Sequence, residues 1–168
     1  MRQVGKNSVE KSNGFIVDYS ENYVLLQQMN DFEVDGFEIF PIKSISKILY
    51  NDNDKYFEKI LHLEGIINEI ENKHKIDLLS WKTILASIKK IGHNVIIENE
   101  NPEDESFDIG PIIKLTKSSV YIRYFNAKGI LDKELTKIDW NLITIVKFDT
   151  KYLKIFSRYL REPKINTL

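Results

Sequence analysis

The sequence predicts an α+β protein that is mainly β with flanking helices, built from two tandem small bent sheets or partly open barrels. The first observation is a set of three runs in residues 110–148, where side chains alternate with period two and are rich in β-branched and aromatic types. The second is a weaker set of such runs in residues 14–50. The third is helical spacing of apolar residues between the two sets and after the second.

The length and composition fit a folded chain without disulfides. The 168 residues allow one domain of ordinary size or two small ones, and 42% hydrophobic with 29% charged residues is enough for a packed core. There is no cysteine, which excludes disulfides and thiolate metal ligands. No apolar run approaches the ~20 residues that a membrane span needs, and the polar N-terminus is unlike a secretory signal. We therefore expect a cytoplasmic protein, with the Asn, Ile and Lys content typical of AT-rich bacterial genomes.

The first half is expected to begin with a polar, irregular lead-in over residues 1–13. Three strands are predicted after it, at 14–19, 23–29 and 37–41. Because Pro41 cannot donate to a ladder, the third of these strands should lie at a sheet edge. The pattern continues to residue 50, with Ile45, Ile48 and Tyr50 expected in the core.

A first helix is predicted behind Asp52 and Asp54, whose carboxylates can accept from the free N–H groups of its first turn. Gly65 weakens or breaks this helix. The charged residues 71–75 then form a linker. They give the predicted domain boundary, with a first unit over 1–75 and a second over 76–168.

The second half is predicted to start with a helix capped by Asp77 and ended by Gly92. Its apolar stripe consists of Leu78, Trp81, Ile84, Leu85 and Ile88. Strands are expected at 94–99, 112–116, 120–125 and 142–148, with Gly110 at a bend. A last helix should begin at 149–150 and end before Pro163 and a polar tail.

The two halves share landmarks that indicate an internal duplication. Gly14 lies ten residues before Val24, as Gly110 lies ten before Val120. Ile45, Ile48 and Tyr50 in one half correspond to Ile143, Val146 and Phe148 in the other. A repeat of this length is one supersecondary unit used twice. The alternative is chance similarity between two β-meanders.

The order of elements resembles that of the Sm-like small β-barrels: helix, strand, Gly-led strand, β-branched strand, glycine turn and an Ile-x-x-Ile/Val strand. The resemblance is best over 77–148 and weaker over 14–50. RNA-binding members carry an Asp-x-Asn type of turn, where this chain has Lys117-Ser118-Ser119 or Ser20-Glu21-Asn22. RNA binding is therefore not implied residue by residue. The whole chain also resembles bacterial proteins built from such units, a likeness that implies no function.

The residues that could carry chemistry are scattered along the chain. His62, His74 and His93 are far apart, and none stands at metal-ligand spacing from a carboxylate, so we expect surface or structural roles. Nucleophile motifs and a phosphate-binding glycine loop are missing. The sequence therefore predicts no catalytic residue, no metal site and no cofactor.

Two acidic clusters and one aromatic row are the candidate interaction sites. Asp31, Glu33 and Asp35 form one cluster, and Glu103, Asp104 and Glu105 form the other. They are solvated turns, cation ligands or a partner surface.

Tyr121, Arg123 and Phe125 share one strand face and, with Lys114 and Lys117, would contact RNA or a peptide if that face is exposed. The last helix needs an apolar surface to cover, which favours a core role for the face.

Charge is divided unevenly, with a net −4 over residues 1–75 and +3 over 76–168. The favoured interpretation is a non-catalytic binding or adaptor protein with an unknown protein partner, in which exposed strand edges leave a homodimer open. One alternative is a weak single-stranded RNA binder. Another is a bacterial immunity-type protein whose acidic half neutralises a basic partner. An enzyme is the weakest alternative.

Overall fold

The computed structural model describes residues 1–164, which form a mainly β chain with flanking helices, as predicted. The end of the predicted polar tail, 165–168, lies outside the described residues. The strands are β1 (Arg2–Gly5), β2 (Ser8–Glu10), β3 (Gly14–Tyr19), β4 (Tyr23–Asn30), β5 (Glu33–Pro41), β6 (Val95–Asn99), β7 (Ser106–Gly110), β8 (Ile112–Leu115), β9 (Ser119–Ile122), β10 (Thr136–Asp139) and β11 (Ile145–Phe148). The helices are α1 (Asp52–Leu63), α2 (Trp81–Lys90) and α3 (Lys151–Ser157), with 3₁₀ turns at Ile42–Ser44, Ile66–Glu69 and Trp140–Leu142.

A six-stranded antiparallel sheet with the order β3-β4-β5-β11-β6-β7 runs through both halves of the chain. The two halves meet where β11 pairs with β5, in a register that places Val146 opposite Ile39 and Phe148 opposite Phe37. A three-stranded sheet, β10-β9-β8, continues from β7, and β1 and β2 form a separate hairpin. The pairing of β5 with β11 crosses the predicted boundary between residues 75 and 76.

The chain bends sharply at Gly110, between β7 and β8. Its φ is 155°, and a Cβ there would overlap the carbonyl oxygen of Arg123. Gly14, at the head of β3, has a φ of 151°, and a Cβ on it would overlap the carbonyl oxygen of Gln27. Only glycine fits such a close backbone approach at positive φ. The close backbone approach predicted for Gly110 is therefore present, and Gly14 has the same conformation.

Backbone hydrogen bonds around the two glycines correspond one to one. Met29 N–H donates to Asn13 O at 3.1 Å, and Phe125 N–H donates to Ile109 O at 3.2 Å. Ser20 N–H donates to Tyr23 O and Thr116 N–H to Ser119 O, both at 2.9 Å. Each bond of one half joins residues at the same distances along the chain from its glycine as its counterpart does.

The main core lies between one face of the six-stranded sheet, the three-stranded sheet and α2. From α2 it takes the predicted stripe of Trp81, Ile84, Leu85 and Ile88, and from the sheets Leu25, Phe37, Ile39, Ile97, Val120, Ile122 and Phe148. Ile143 is also buried there. Burying the apolar stripe of an amphipathic helix on a sheet is the main source of its stability.

The start of α2 differs from the prediction. Ser80, not Asp77, is the N-cap: its hydroxyl accepts from Thr83 N–H, and the Thr83 hydroxyl accepts from Ser80 N–H. Asp77 instead accepts from Leu79 N–H at 3.1 Å, a local turn that precedes the helix. The reciprocal capping pair at Ser80 satisfies two free donors at once, which a lone Asp cap cannot do.

The N-terminal segment is ordered, contrary to the prediction of an irregular lead-in. Arg2 in β1 is only 3% exposed, because its guanidinium forms a bidentate ion pair with Glu100. The β1–β2 hairpin could not be predicted from the polar composition of this segment, because Glu100, which pairs with Arg2, lies in the other half of the chain.

Two further predictions in the first half are wrong. The strand that ends at Pro41 is internal, because β4 pairs with it on one side and β11 pairs with its residues 37–39 on the other, leaving both ends of β5 unpaired on the β11 side. Pro41 is thus tolerated at a strand end. Ile48 and Tyr50 are 74% and 60% exposed rather than buried, since the chain beyond Ile45 joins no strand in the described structure.

α3 covers a smaller core made by Ile96, Ile109, Phe125 and Leu153. Phe125 stacks on Phe156 with ring centroids 5.5 Å apart. Within residues 1–164, no helix combines the length and the apolar composition that crossing a bilayer requires.

The close approach at Gly110 gives a prediction about stability. Gly110→Ala should lower the free energy of unfolding by about 3 kcal/mol, because strain at positive φ is added to the overlap with the Arg123 carbonyl. Gly92→Ala is the matched control: its φ is also positive at 79°, but a Cβ there meets no atom within 4 Å, so it should lose only about 1 kcal/mol. Urea unfolding measures both, and equal losses would contradict the proposed overlap.

Candidate functional site

Three side chains that are far apart in the sequence meet beside the main core: His74, His93 and Asp149. His74 lies in the coil between the 3₁₀ turn at Ile66–Glu69 and α2, and His93 follows the end of α2. Asp149 connects β11 to α3 and has a φ of 56°, a left-handed conformation that Asp tolerates. Thr150, not Asp149, caps α3, which leaves the Asp149 carboxylate free to face the histidines.

Both histidines point at the same carboxylate. His74 Nε2 is 3.2 Å from Asp149 Oδ2, and His93 Nδ1 is 3.5 Å from Asp149 Oδ1. Lys154 Nζ lies 3.1 Å from Oδ1. The Asp149 side chain is only 10% exposed, so its charge is shielded from water and depends on these neighbours.

Aromatic rings form the inner wall of this cluster. The His74 ring lies edge-on to Phe37, with centroids 5.3 Å apart, and 5.0 Å from the His93 ring. Partial burial lowers the pKa of His93, and the nearby His74 and Lys154 act in the same direction, against the Asp149 charge. His93 is therefore a neutral imidazole near pH 7, with one ring nitrogen able to accept a proton or donate a lone pair.

The cluster lies between two open clefts. One, of about 650 Å³, is bordered by Phe32, Glu33, Lys73, Lys151 and Arg158, among others. The other, of about 260 Å³, is bordered by His93, Asn94 and Ser157. Asp149, Lys154 and Arg158 line both clefts. A small ligand could thus reach Asp149 from either side.

The predicted aromatic row does not form a surface platform. Phe125 is 2% exposed beneath α3. Arg123 donates to the Glu162 carboxylate and to Asp132 O at 2.8 Å. Lys114 and Lys117 are exposed, and Lys114 Nζ lies 5.7 Å from the Tyr121 ring centroid, so these three alone retain a contact surface.

The two predicted acidic clusters differ in their surroundings. Asp35 Oδ1 accepts from Lys151 N–H at 2.6 Å, and Glu33 pairs with Lys151 Nζ at 3.3 Å, so both hold the start of α3. They lie in β5, not in a connection, and Asp31 forms the turn before it with a φ of 51°. Glu103, Asp104 and Glu105 are exposed in the turn between β6 and β7.

A second polar cluster lies on the face of the six-stranded sheet opposite α2. Arg2 Nη2 donates to Glu100 Oε1 at 2.7 Å, and Lys147 Nζ lies 2.6 Å from Glu98 Oε1. Glu38 is 5% exposed; its Oε1 accepts from Gln28 at 2.6 Å, whereas its Oε2 has no hydrogen-bond partner in the described structure. Burial raises the pKa of Glu38, although Lys147 and Arg2 partly offset it. Burial also opposes ionisation of Glu100, but the hydrogen bond and charge of Arg2, together with the Thr144 hydrogen bond and the Lys147 charge, outweigh it and lower the pKa of that group.

Comparison with protein-family models, with curated proteins and with solved structures finds no match to this chain. The meeting of His74, His93 and Asp149 was not predicted from the sequence. No local spacing signals it, because one residue lies in a linker, one follows a helix and one follows a strand. They meet because both imidazole rings pack against Phe148, the residue before Asp149, and the His74 ring packs against Phe37 as well.

The raised pKa of Glu38 gives a pH-dependent prediction. The folded state takes up a proton at Glu38 at higher pH than the unfolded state does, so acidification from pH ~7.5 towards the ordinary Glu pKa of about 4.3 favours folding through this group. Glu38→Gln should therefore be more stable than the natural chain at neutral pH, and the difference should shrink as the pH falls.

Urea unfolding at several pH values checks this. Glu105→Gln, which changes an exposed carboxylate, should run parallel to the natural chain at every pH. A Glu38→Gln difference that is constant or grows on acidification would contradict the prediction.

Proposed function

We propose that this protein is a non-catalytic adaptor that assembles by adding strands at its exposed sheet edges, and that its halves are two copies of one Sm-like bent-sheet unit. The duplication is supported by the matching glycine conformations and backbone hydrogen bonds around Gly14 and Gly110. It is also supported by the 3₁₀ turn that follows β5 at Ile42–Ser44 and β10 at Trp140–Leu142. In this correspondence β5 is equivalent to β10, and residues 45–50 are equivalent to the segment from Ile143 through β11.

The pairing of β5 with β11 is then a contact between copies of one unit, made inside a single chain. For the same pairing to form between two chains, each chain must offer one free strand equivalent to β5 and one free segment equivalent to β11. β10 is the β5-like edge: within residues 1–164 it pairs only with β9 and ends its sheet. Residues 46–50 are the β11-like segment. The Ser46 and Lys47 N–H groups donate to Met1 O, at 3.0 and 3.4 Å, but none of these five residues pairs with a strand in the described structure.

Exposure of the 46–50 segment is the observation that carries the proposal. Ile48 and Tyr50 are 74% and 60% exposed, whereas their counterparts Val146 and Phe148 are fully buried between β5 and β6. Leu49 is 53% exposed beside them. An unpaired extended segment with large apolar side chains is a template for pairing with another chain.

The occupant that fits this segment is β10 of a second copy, because the chain already pairs the equivalent strands within itself. Such a contact joins two different surfaces, so it is head-to-tail and leaves one free edge at each end of a dimer. It continues into a closed ring or an open filament. The adaptor role follows from the faces that remain accessible in such an assembly, including the exposed Lys114 and Lys117.

A pair of variants tests the edge. Ile48→Asp combined with Tyr50→Asp should abolish self-association, because it places two charges where the neighbouring strand would pack. The free energy of unfolding should change by no more than about 0.5 kcal/mol, since both side chains are exposed in one chain. Leu79→Asp, which alters a side chain that is 68% exposed elsewhere, is the control and should assemble normally.

Sedimentation velocity over the micromolar concentration range measures the assembly state. The proposal predicts concentration-dependent species larger than a monomer for the natural chain and a monomer for the double variant. A natural chain that is monomeric throughout would mean that the segment serves a different partner, and self-pairing would be rejected. Association that survives in the double variant would reject the 46–50 edge.

A further inference from the structure

The meeting of His74, His93 and Asp149 has the composition of a metal site. Their ligand atoms, two imidazole nitrogens and a carboxylate oxygen, all lie within 4.8 Å of one another. Imidazole and carboxylate are the donors that Zn²⁺ and related divalent transition metals take in proteins. Three protein ligands leave one position of a tetrahedral ion open.

The distances agree with shared coordination. Two ligands bound to Zn²⁺ at about 2.0–2.1 Å and at a tetrahedral angle lie about 3.3 Å apart. His74 Nε2 and Asp149 Oδ2 are 3.2 Å apart, and His93 Nδ1 and Asp149 Oδ1 are 3.5 Å apart. These two distances go to different oxygens of Asp149, and one ligand atom from each residue gives a set within 4.8 Å, so the side chains must rotate to surround one ion.

We propose that His74, His93 and Asp149 bind one divalent transition-metal ion, Zn²⁺ being the ion that this nitrogen, nitrogen and oxygen set fits best. The site is independent of the strand-edge proposal, because none of its residues lies in 46–50 or in β10. The ion reaches it through the clefts that Asp149 and Lys154 line.

The surroundings favour an ion over a set of plain hydrogen bonds. Two imidazoles converge on one carboxylate, one ring at each oxygen, so both rings are aimed at the space that the carboxylate borders. Asp149 is 10% exposed, and the cation beside it, Lys154, is half exposed. A bound divalent ion would replace Lys154 at Oδ1 and place a buried charge next to the buried carboxylate.

The site would tie three segments together. His74 belongs to the coil that links the halves, His93 to the end of α2 and Asp149 to the end of β11. An ion that binds only the folded arrangement stabilises it in proportion to its concentration relative to the dissociation constant. Metal binding should therefore hold the linker against the sheet.

Titration of the metal-stripped full-length chain with ZnCl₂ by isothermal calorimetry tests the site. The expected result is one equivalent of Zn²⁺ per chain, with affinity at least tenfold weaker in His74→Ala, His93→Ala and Asp149→Asn. Asn keeps the left-handed conformation accessible at position 149, so that variant should fold. His62→Ala, which removes the remaining histidine from the exposed face of α1, is the control and should bind as the natural chain does.

Lys154→Met tests whether the metal ion and the Lys154 ammonium compete for the Asp149 carboxylate. If Zn²⁺ replaces the Lys154 ammonium at Asp149, this variant should bind Zn²⁺ at least as tightly as the natural chain. The melting temperature of the natural chain should also rise with Zn²⁺, and that of His74→Ala should not. Absence of stoichiometric Zn²⁺ binding by the natural chain, unchanged affinity in all three ligand variants, or equal loss in His62→Ala would overturn the proposal.

Discussion

Pairing of β5 with β11 is the constraint on which the rest of the structure depends. It is the contact that joins strands of the two halves into one sheet. On one face the register stacks Phe37 against Phe148, with ring centroids 5.2 Å apart, at the centre of the core that α2 covers. On the opposite face it sets Glu38 beside Lys147. A slip of one residue would exchange these two faces and place charges in the core, so the register is strongly specified.

The same register positions the cluster of His74, His93 and Asp149 at the end of β11. Asp149 directly follows Phe148, so its place is fixed by the last pair of β11 with β5 and with β6. Phe37 and Phe148 in turn pack against the His74 ring. The core and the histidine cluster therefore share residues. Phe37 and Phe148, which stack on each other in the core, also contact the His74 ring and orient it towards Asp149.

Local patterns predicted the elements, and long-range pairing decided where the prediction failed. Alternation located most strands, and Gly110 marked the bend between β7 and β8, because the close approach of the Arg123 carbonyl leaves no room for a Cβ there. Arg2 looked like part of a loose tail because Glu100, which orders it, lies almost a hundred residues away. His74, His93 and Asp149 carried no spacing signal for the same reason. Periodicity reports which face of an element is apolar, but not which other element covers that face.

Within residues 46–50, Ile48 and Tyr50 were predicted to be buried but are exposed. Their apolar pattern matches that of β11, which is why burial was predicted, but burial of β11 comes from β5 on one side and β6 on the other. In the described part of one chain the matching segment has the bridge of Ile45 to Arg2 and hydrogen bonds of Ser46 and Lys47 with Met1, but no strand along residues 48–50. Under the proposed duplication these residues are a strand for which the described fold supplies no partner, and Ile48 and Tyr50 are exposed for that reason. Because large apolar side chains at an open edge favour pairing with another chain, the failure of the burial prediction supports the proposal that this edge pairs with a second copy.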